Sequence, residues 1–253
     1  MGASFIDACR QIYNVGFCSM GFDLMKYIKR TIIGVLLLTL LPVLALRWID
    51  PPTTAFMLQE RFKAWWNKDH RFKVRYQWVN WDRISPHAPL AVVAAEDQKF
   101  PDHWGFDREA ITDAWQERIE GVRVRGASTI SQQVAKNLFL WPGKSFIRKG
   151  IEAYFTVLIE ILWPKQRILE VYLNIAEFGK GVFGVAAASR TFFGKSPHRL
   201  IREECALMAA VLPSPSRLRL DQPSDYVLRR SDWILEEMDR LDRIYNQPYL
   251  YNL

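Results

Sequence analysis

The 253-residue chain has only three cysteines, Cys9, Cys18 and Cys205, and four histidines. Cys9 and Cys18 precede a long apolar run and Cys205 follows it, so the body has no disulfide framework. Cys205 sits in the apolar helical stretch Glu203–Ala210 and reads as a small buried core residue. No metal-ligand cluster occurs, which leaves no dedicated metal site. There is no internal repeat or low-complexity segment. Strand-like alternation is brief, around Val122–Arg125, so an all-β fold is not expected. Acidic residues are outnumbered, 27 against 34 Lys and Arg, for a net charge of +7. That balance suits an anionic partner: nucleic acid, a membrane surface or a phosphorylated ligand.

What is abundant is apolar. The hydrophobic fraction is 49% and excludes disorder. Ile32–Leu46 is nearly all apolar, and with its flanks it spans Thr31–Ile49, about 19 residues, enough to cross a bilayer. Pro42 within it is tolerable in a membrane helix. Lys26, Lys29 and Arg30 precede it, so residues 1–30 are expected in the cytoplasm and the body outside. A cleaved signal peptide ending near Val43 and Ala45 is the rival. The long preceding tail and the immediate Arg47 oppose it. A body outside the cytoplasm rarely meets nucleic acid, so its basic surface points to lipid headgroups or lipid-linked phosphates.

The chain then divides into a tail (1–30), an anchor (31–49), a catalytic domain (50–220) and a C-terminal helix and tail (221–253). Residues 51–85 interleave Phe56, Phe62, Trp65, Trp66, Phe72, Tyr76, Trp78 and Trp81 with Arg61, Lys63, Lys68, Arg71, Lys73 and Arg75. That pattern suits a membrane interface; an ordinary packed lobe is the plain alternative. The remainder reads as mainly α. Helices are expected over Pro89–Gln98, Thr129–Leu140, Phe146–Leu162, Lys165–Phe178, Glu203–Leu212 and Tyr226–Leu241. Thr129 and Gln132 give a capping signal at the second of these.

Two glutamates carry the chemistry. Glu96 follows Leu90–Ala95, where partial burial raises a carboxyl toward the range of a general base; Asp97 and His103 can tune it. Glu152 follows Arg148 and Lys149. Between the glutamates, Thr129, Gln132, Gln133 and Lys136 share one helical face of hydroxyl, amide and ammonium groups. From Arg123 to Arg167 stand Arg123, Arg125, Lys136, Lys144, Arg148, Lys149, Lys165 and Arg167, against only Glu152 and Glu160. A carboxylate pair alone reads as a glycosidase. The cations shift the reading to transfer from a sugar phosphate, where a base takes a hydroxyl proton and cations hold the departing phosphate. A solvated helix end at Glu96 and a surface ion pair between Arg148 and Glu152 are the bland alternatives. The latter pair stands in the weaker helical orientation.

These residues together resemble the monofunctional biosynthetic peptidoglycan glycosyltransferases, whose module also occurs in class A penicillin-binding proteins. Glu96-Asp97-x-x-Phe100-x-x-His103-x-Gly105 resembles the first motif of that family. Gly126-x-Ser128-Thr129-x-x-Gln132-Gln133 resembles the second, and Arg148-Lys149-x-x-Glu152 the third. Ile168-Leu169-Glu170-x-Tyr172-Leu173-Asn174 resembles the fourth, and Glu204-x-Ala206 leading into Leu212-Pro213 the fifth. The match covers residues 52–220 in order. Ile151 departs from relatives that carry a cation just before the third-motif glutamate. With no transpeptidase domain following, the monofunctional form is expected.

The resemblance implies a lysozyme-like larger lobe and a smaller, membrane-associated jaw after one transmembrane helix. It implies an enzyme of the bacterial inner membrane, with a periplasmic catalytic domain that polymerises lipid II. The lipid-linked glycan is the donor and lipid II the acceptor; the β-1,4 link forms with inversion. Glu96 is then the base, and Glu152 organises the pyrophosphate region with Arg148 and Lys149. Asp97, Phe100, His103, Ser128, Thr129, Gln132, Gln133, Lys136 and Asn137 complete the substrate-binding set. No cofactor is expected, although a divalent cation at the pyrophosphate is compatible with the chemistry. Membrane lipids are expected partners, as are other cell-wall synthesis or division proteins. A lysozyme-like peptidoglycan-cleaving enzyme and a non-catalytic, membrane-anchored glycan-binding protein are the competing functions.

Overall fold

The structure, a computed structural model, describes residues 25–120, 128–143 and 145–245. The alternation at Val122–Arg125, Gly126 and Ala127 of the second motif, Lys144, Cys9, Cys18 and the extreme tails lie outside the described residues. The chain divides into two compact units after Leu46. In the first, Met25–Ala45 forms the 21-residue helix α1, long and apolar enough to cross a membrane. Lys26, Lys29 and Arg30 fall inside its first turns, and Trp48 and Ile49 lie past its end.

The second unit is predominantly helical: α2 (Ala55–Trp66), α3 (His87–Glu96), α4 (Arg108–Ile119), α5 (Ile130–Phe139), α6 (Phe146–Leu162), α7 (Lys165–Ile175), α8 (Val185–Ala188), α9 (Arg202–Ala210) and α10 (Asp225–Tyr245). Strands β1 (Arg75–Tyr76), β2 (Glu177–Gly179) and β3 (Val182–Phe183) make a small sheet in the order β1-β3-β2. β1 runs parallel to β3, and β2 runs antiparallel to it with an irregularity between Glu177 and Gly179.

Helix α3 is the hub. Ala88 through Ala94 are all buried, so the helix is apolar on every side and must be enclosed. It packs against α7, α9 and α10. Pro89 is accommodated because it falls in the first turn, where a backbone N–H has no helical partner. Helix α5 packs on α2, α6 and α7. It begins with a complete capping box: Thr129 Oγ1 accepts from Gln132 N, and the Gln132 side chain accepts from Thr129 N at 3.1 Å. Pro164 separates α6 from α7, since a proline cannot continue the hydrogen-bond ladder.

Most expected helices match within two residues. Two ends differ by more: α10 runs four residues past the expected Leu241, and Lys165–Phe178 ends at Ile175, so Phe178 stands in β2. The early end of α7 is caused by Gly184. Its φ is +83°, and a Cβ there would lie 2.3 Å from the Asn174 carbonyl oxygen. Gly184 N donates to Ala176 O at 2.8 Å, which draws the chain back on itself just after α7. Helices α2, α4 and α8, and the three strands, were not anticipated. Cys205 is 2% exposed in the core, as expected, and burial pushes its thiol up to about 12.

Candidate active site

Helix α3 ends at Glu96, and its apolar sheath delivers that carboxylate to the cleft half-buried. Burial is the largest influence on Glu96 and raises its pKa; Gln133, Arg230 and Lys136 oppose the rise, and Asp97 adds to it. Gln133 Nε2 on α5 donates to Glu96 Oε2 at 2.9 Å. The amide is itself oriented, because the buried Tyr172 hydroxyl donates to Gln133 Oε1 at 3.4 Å. Arg230 on α10 places Nη2 3.5 Å from Glu96 Oε1 and donates to Ala95 O at 3.3 Å. Its Nε is buried without a hydrogen-bond partner, an unused donor beside the carboxylate.

The rest of the first motif builds the frame of the site. Asp97 is 6% exposed. His103 Nε2 lies 2.8 Å from Asp97 Oδ1, and Gly105 N donates to His103 Nδ1 at 3.1 Å. The latter bond makes Nδ1 the acceptor, so Nε2 carries the proton toward Asp97. Asp97 Oδ2 accepts from Ile130 N at 2.9 Å at the start of α5. Thr129 Oγ1 donates to Gly105 O at 2.7 Å. Gly105 has φ +79°, and a Cβ there would lie 2.7 Å from Thr156. The first motif is therefore tied to the N-terminus of α5.

This changes the reading of several residues. Phe100 is 0% exposed under the Lys165 ammonium, 4.4 Å from the ring centre. Thr129 and Gln132 are 3% and 4% exposed, and their polar atoms close the capping box. Phe100 is enclosed, and the hydrogen bonds of Thr129, Gln132, Asp97 and His103 tie them to the frame, while Asp97 and Thr129 also line the cavity beside Glu96. All but Phe100 also position their neighbours. Ser128 is exposed, and Gln133, Lys136 and Asn137 are half-buried.

The second glutamate lies on α6 with its side chain 3% exposed. Arg148 Nη1 donates to its Oε2 at 2.7 Å and Lys149 Nζ to its Oε1 at 2.6 Å. Both oxygens are thus occupied, which is what keeps a buried carboxylate tolerable. Lys136 links the two halves. Burial lowers its pKa most, and Glu152 and Glu96 both act against that lowering, so its ammonium feels both carboxylates. The same ammonium stands 5.7 Å from the ring centre of Phe56 on α2. Glu96, Gln133, Lys136, Arg148, Lys149, Glu152 and Arg230 therefore converge from α3, α5, α6 and α10. A cavity of about 540 Å³ adjoins Glu96, walled by Ser128, Asp102, Asp107, Trp233 and Arg240 among others. The cations around Glu152 do not line it, so Glu96 stands between an acidic hollow and a basic cluster. Among the described residues, no group of three or more His, Cys, Asp or Glu could hold a metal ion.

Sequence reasoning missed Arg230. It lies 134 residues from Glu96 in the chain, and only its apolar helical register on α10 marks it. Val227, Ile234, Met238 and Leu241 are buried, so Arg230 is drawn toward α3 one turn before Ile234.

Comparison with known proteins agrees with this arrangement. Residues 66–239 match the family model described as Transglycosylase. A protein of Xanthomonas campestris pv. campestris (strain B100), named "Biosynthetic peptidoglycan transglycosylase", is 53% identical over 203 residues, covering 80% of this chain and 82% of the relative. A protein of the same name from Yersinia pestis (strain Pestoides F) is 49% identical over 223 residues, covering 87% of this chain and 92% of the relative.

Proposed function

The chain belongs to the transglycosylase family and is a peptidoglycan glycosyltransferase, and on that premise we propose that it polymerises lipid II into β-1,4-linked glycan at the site around Glu96. The observation that carries this reading is the pairing of a half-buried carboxylate of raised pKa with a separate cluster of cations. A hydrolase needs the first; transfer from a sugar pyrophosphate needs both.

In the reaction, lipid II presents its sugar 4-hydroxyl to Glu96. The carboxylate takes that proton as the oxygen attacks the anomeric carbon of the lipid-linked glycan. The anomeric C–O bond breaks on the opposite face, its electron pair leaves with the lipid pyrophosphate, and the configuration inverts. Burial makes Glu96 a stronger base, while the Gln133 amide fixes its orientation. Lys136, Arg148 and Lys149 meet the charge that grows on the pyrophosphate, where a fixed cation stabilises the transition state by several kcal/mol, on the order of an oxyanion-hole donor. Glu152 holds two of those cations in place. Both Glu152 oxygens are taken and its neighbours are cations, so this set does not fit a protein-held divalent ion, and no step runs through one.

The membrane supplies both substrates. Helix α1 fits a membrane anchor. We assign it to the inner membrane with the N-terminus cytoplasmic and the catalytic unit periplasmic, on the strength of Lys26, Lys29 and Arg30 before the apolar run. On α2, Leu58, Phe62, Trp65 and Trp66 are 51–70% exposed, and the three rings stand 5.7–6.4 Å apart. Trp141, Phe146 and Ile147 add exposed apolar surface where α6 begins. The second group flanks Arg148 in the chain, and Phe56 of α2 stands 5.7 Å from the Lys136 ammonium, which suits a cleft that takes lipid-borne substrates from the bilayer interface.

The test is to incubate the purified chain with lipid II and, separately, with finished peptidoglycan. Polymer from the first and no fragments from the second is the expected result. Fragments without polymer would make the chain a cleaving enzyme.

A further inference from the structure

A second hollow, basic in character, is lined by none of the residues around Glu96. It measures about 560 Å³ and is walled by Arg71, Phe72, Lys73, Arg75, Lys180, Thr191, Phe192 and Arg219, with Asp69 and Asp221. The sequence Arg71-Phe72-Lys73-Val74-Arg75-Tyr76 alternates cation and apolar residue. The structure keeps that alternation: 71, 73 and 75 are exposed, and 72, 74 and 76 are half-buried. Three cations therefore share one face of an extended segment. That segment is fixed, because Arg75 N donates to Gly181 O at 2.8 Å and β1 pairs with β3. Lys180, from the β2–β3 turn, stands 6.0 Å from the centre of the Phe72 ring.

The acids here are already engaged. Asp221 accepts both bonds of a fork from Arg219, at 3.0 and 2.6 Å, and Asp69 accepts from the backbone of Arg71 and Phe72. Among the described residues, Arg71, Lys73, Arg75 and Lys180 have no carboxylate within ion-pair distance. Five cations against two carboxylates around one hollow leave an excess of positive charge, an electrostatic cost to the free protein that a bound anion would relieve. The segment begins five residues after Trp66, at the end of the exposed aromatic cluster of α2.

We propose that this hollow is a second, non-catalytic phosphate site that takes the headgroup of an anionic membrane lipid. It rests on the reading of α2 as an interfacial helix, which brings the following residues to headgroup depth. Phe72 and Phe192 form the apolar part of the wall against the headgroup and upper chain, and the cations and the Thr191 hydroxyl hold the phosphate. The hollow orients the catalytic unit on an anionic surface without touching the reacting sugars.

The test uses the full chain in nanodiscs of neutral phosphatidylcholine or of phosphatidylcholine with phosphatidylglycerol, and reads backbone hydrogen exchange. Slower exchange over 69–75 and 179–182 is expected only with the anionic lipid, by about tenfold at a lipid concentration ten times the dissociation constant. The combined variant Arg71→Gln, Lys73→Gln, Lys180→Gln should raise the dissociation constant for the anionic discs about a hundredfold, since each cation near an anionic surface contributes roughly equally, and so abolish the protection at that lipid concentration. The combined variant Arg199→Gln, Arg229→Gln, Arg243→Gln removes the same charge elsewhere and should keep the protection. Equal protection in neutral discs, equal loss in both variants, or the same protection from inorganic phosphate added to neutral discs would overturn the lipid site. Exchange over α2 reports its own reading separately: protection there in both disc types with none over 69–75 ends the proposal and spares the interfacial helix. Protection over 69–75 with none over α2 does the reverse.

Discussion

At the scale of single residues, the site depends on how Glu96 is held rather than on its presence alone. A buried carboxylate drifts toward its neutral form, and a neutral Glu96 cannot take a proton. Arg230, Lys136 and the Gln133 amide limit that drift. Replacing Arg230 by Leu removes one of them, so the Glu96 pKa rises further. Polymerisation should then fall most at low pH and recover as pH increases, with the acid limb of the rate profile moved to higher pH. A uniform loss at every pH would instead mark Arg230 as a purely structural group. The glutamates and cations themselves were legible, because their residue types sit in compact local patterns. Arg230 was not, because its partner is 134 positions away and no local spacing encodes that approach.

At the scale of elements, the N-terminus of α5 joins the first two motifs. Thr129 serves the helix cap and also donates to Gly105 O, while Asp97 accepts from Ile130 N. Thr129→Val keeps the shape and removes both bonds. It should lower stability by about 1–2 kcal/mol, the usual cost of losing an N-cap side chain, with a lower polymerisation rate as α5 loosens. Thermal unfolding with activity measured in parallel checks this; an unchanged melting temperature would show that the cap contributes nothing. The helices were readable from periodicity and caps: α6 falls where expected, and α5 starts at its predicted cap. The strands were not. They are two or three residues long, too short for alternation to register, and they exist because Gly184 and Gly181 permit turns that residues with a Cβ would strain. The burial of Phe100 and His103 was equally hidden, since a motif shows which residues are needed but not whether they face substrate or frame.

At the scale of the whole molecule, the chain combines an apolar helix, an exposed aromatic helix and a cleft whose charge changes sign around Glu96. That combination suits an enzyme whose substrates have lipid tails and whose leaving group is a pyrophosphate. The fold class was legible because helix-period patterns dominate the sequence. The acidic hollow beside Glu96 was not, because its walls come from α3, α4 and α10, which only the tertiary fold assembles. The most direct test of the central claim is the rate at which Glu96→Gln polymerises lipid II. The side chain keeps its shape and loses its basicity. The expected result is a folded protein with a rate lower by about 10²–10⁴. A Glu96→Gln variant that builds glycan at the wild-type rate would contradict the assignment of Glu96 as the base.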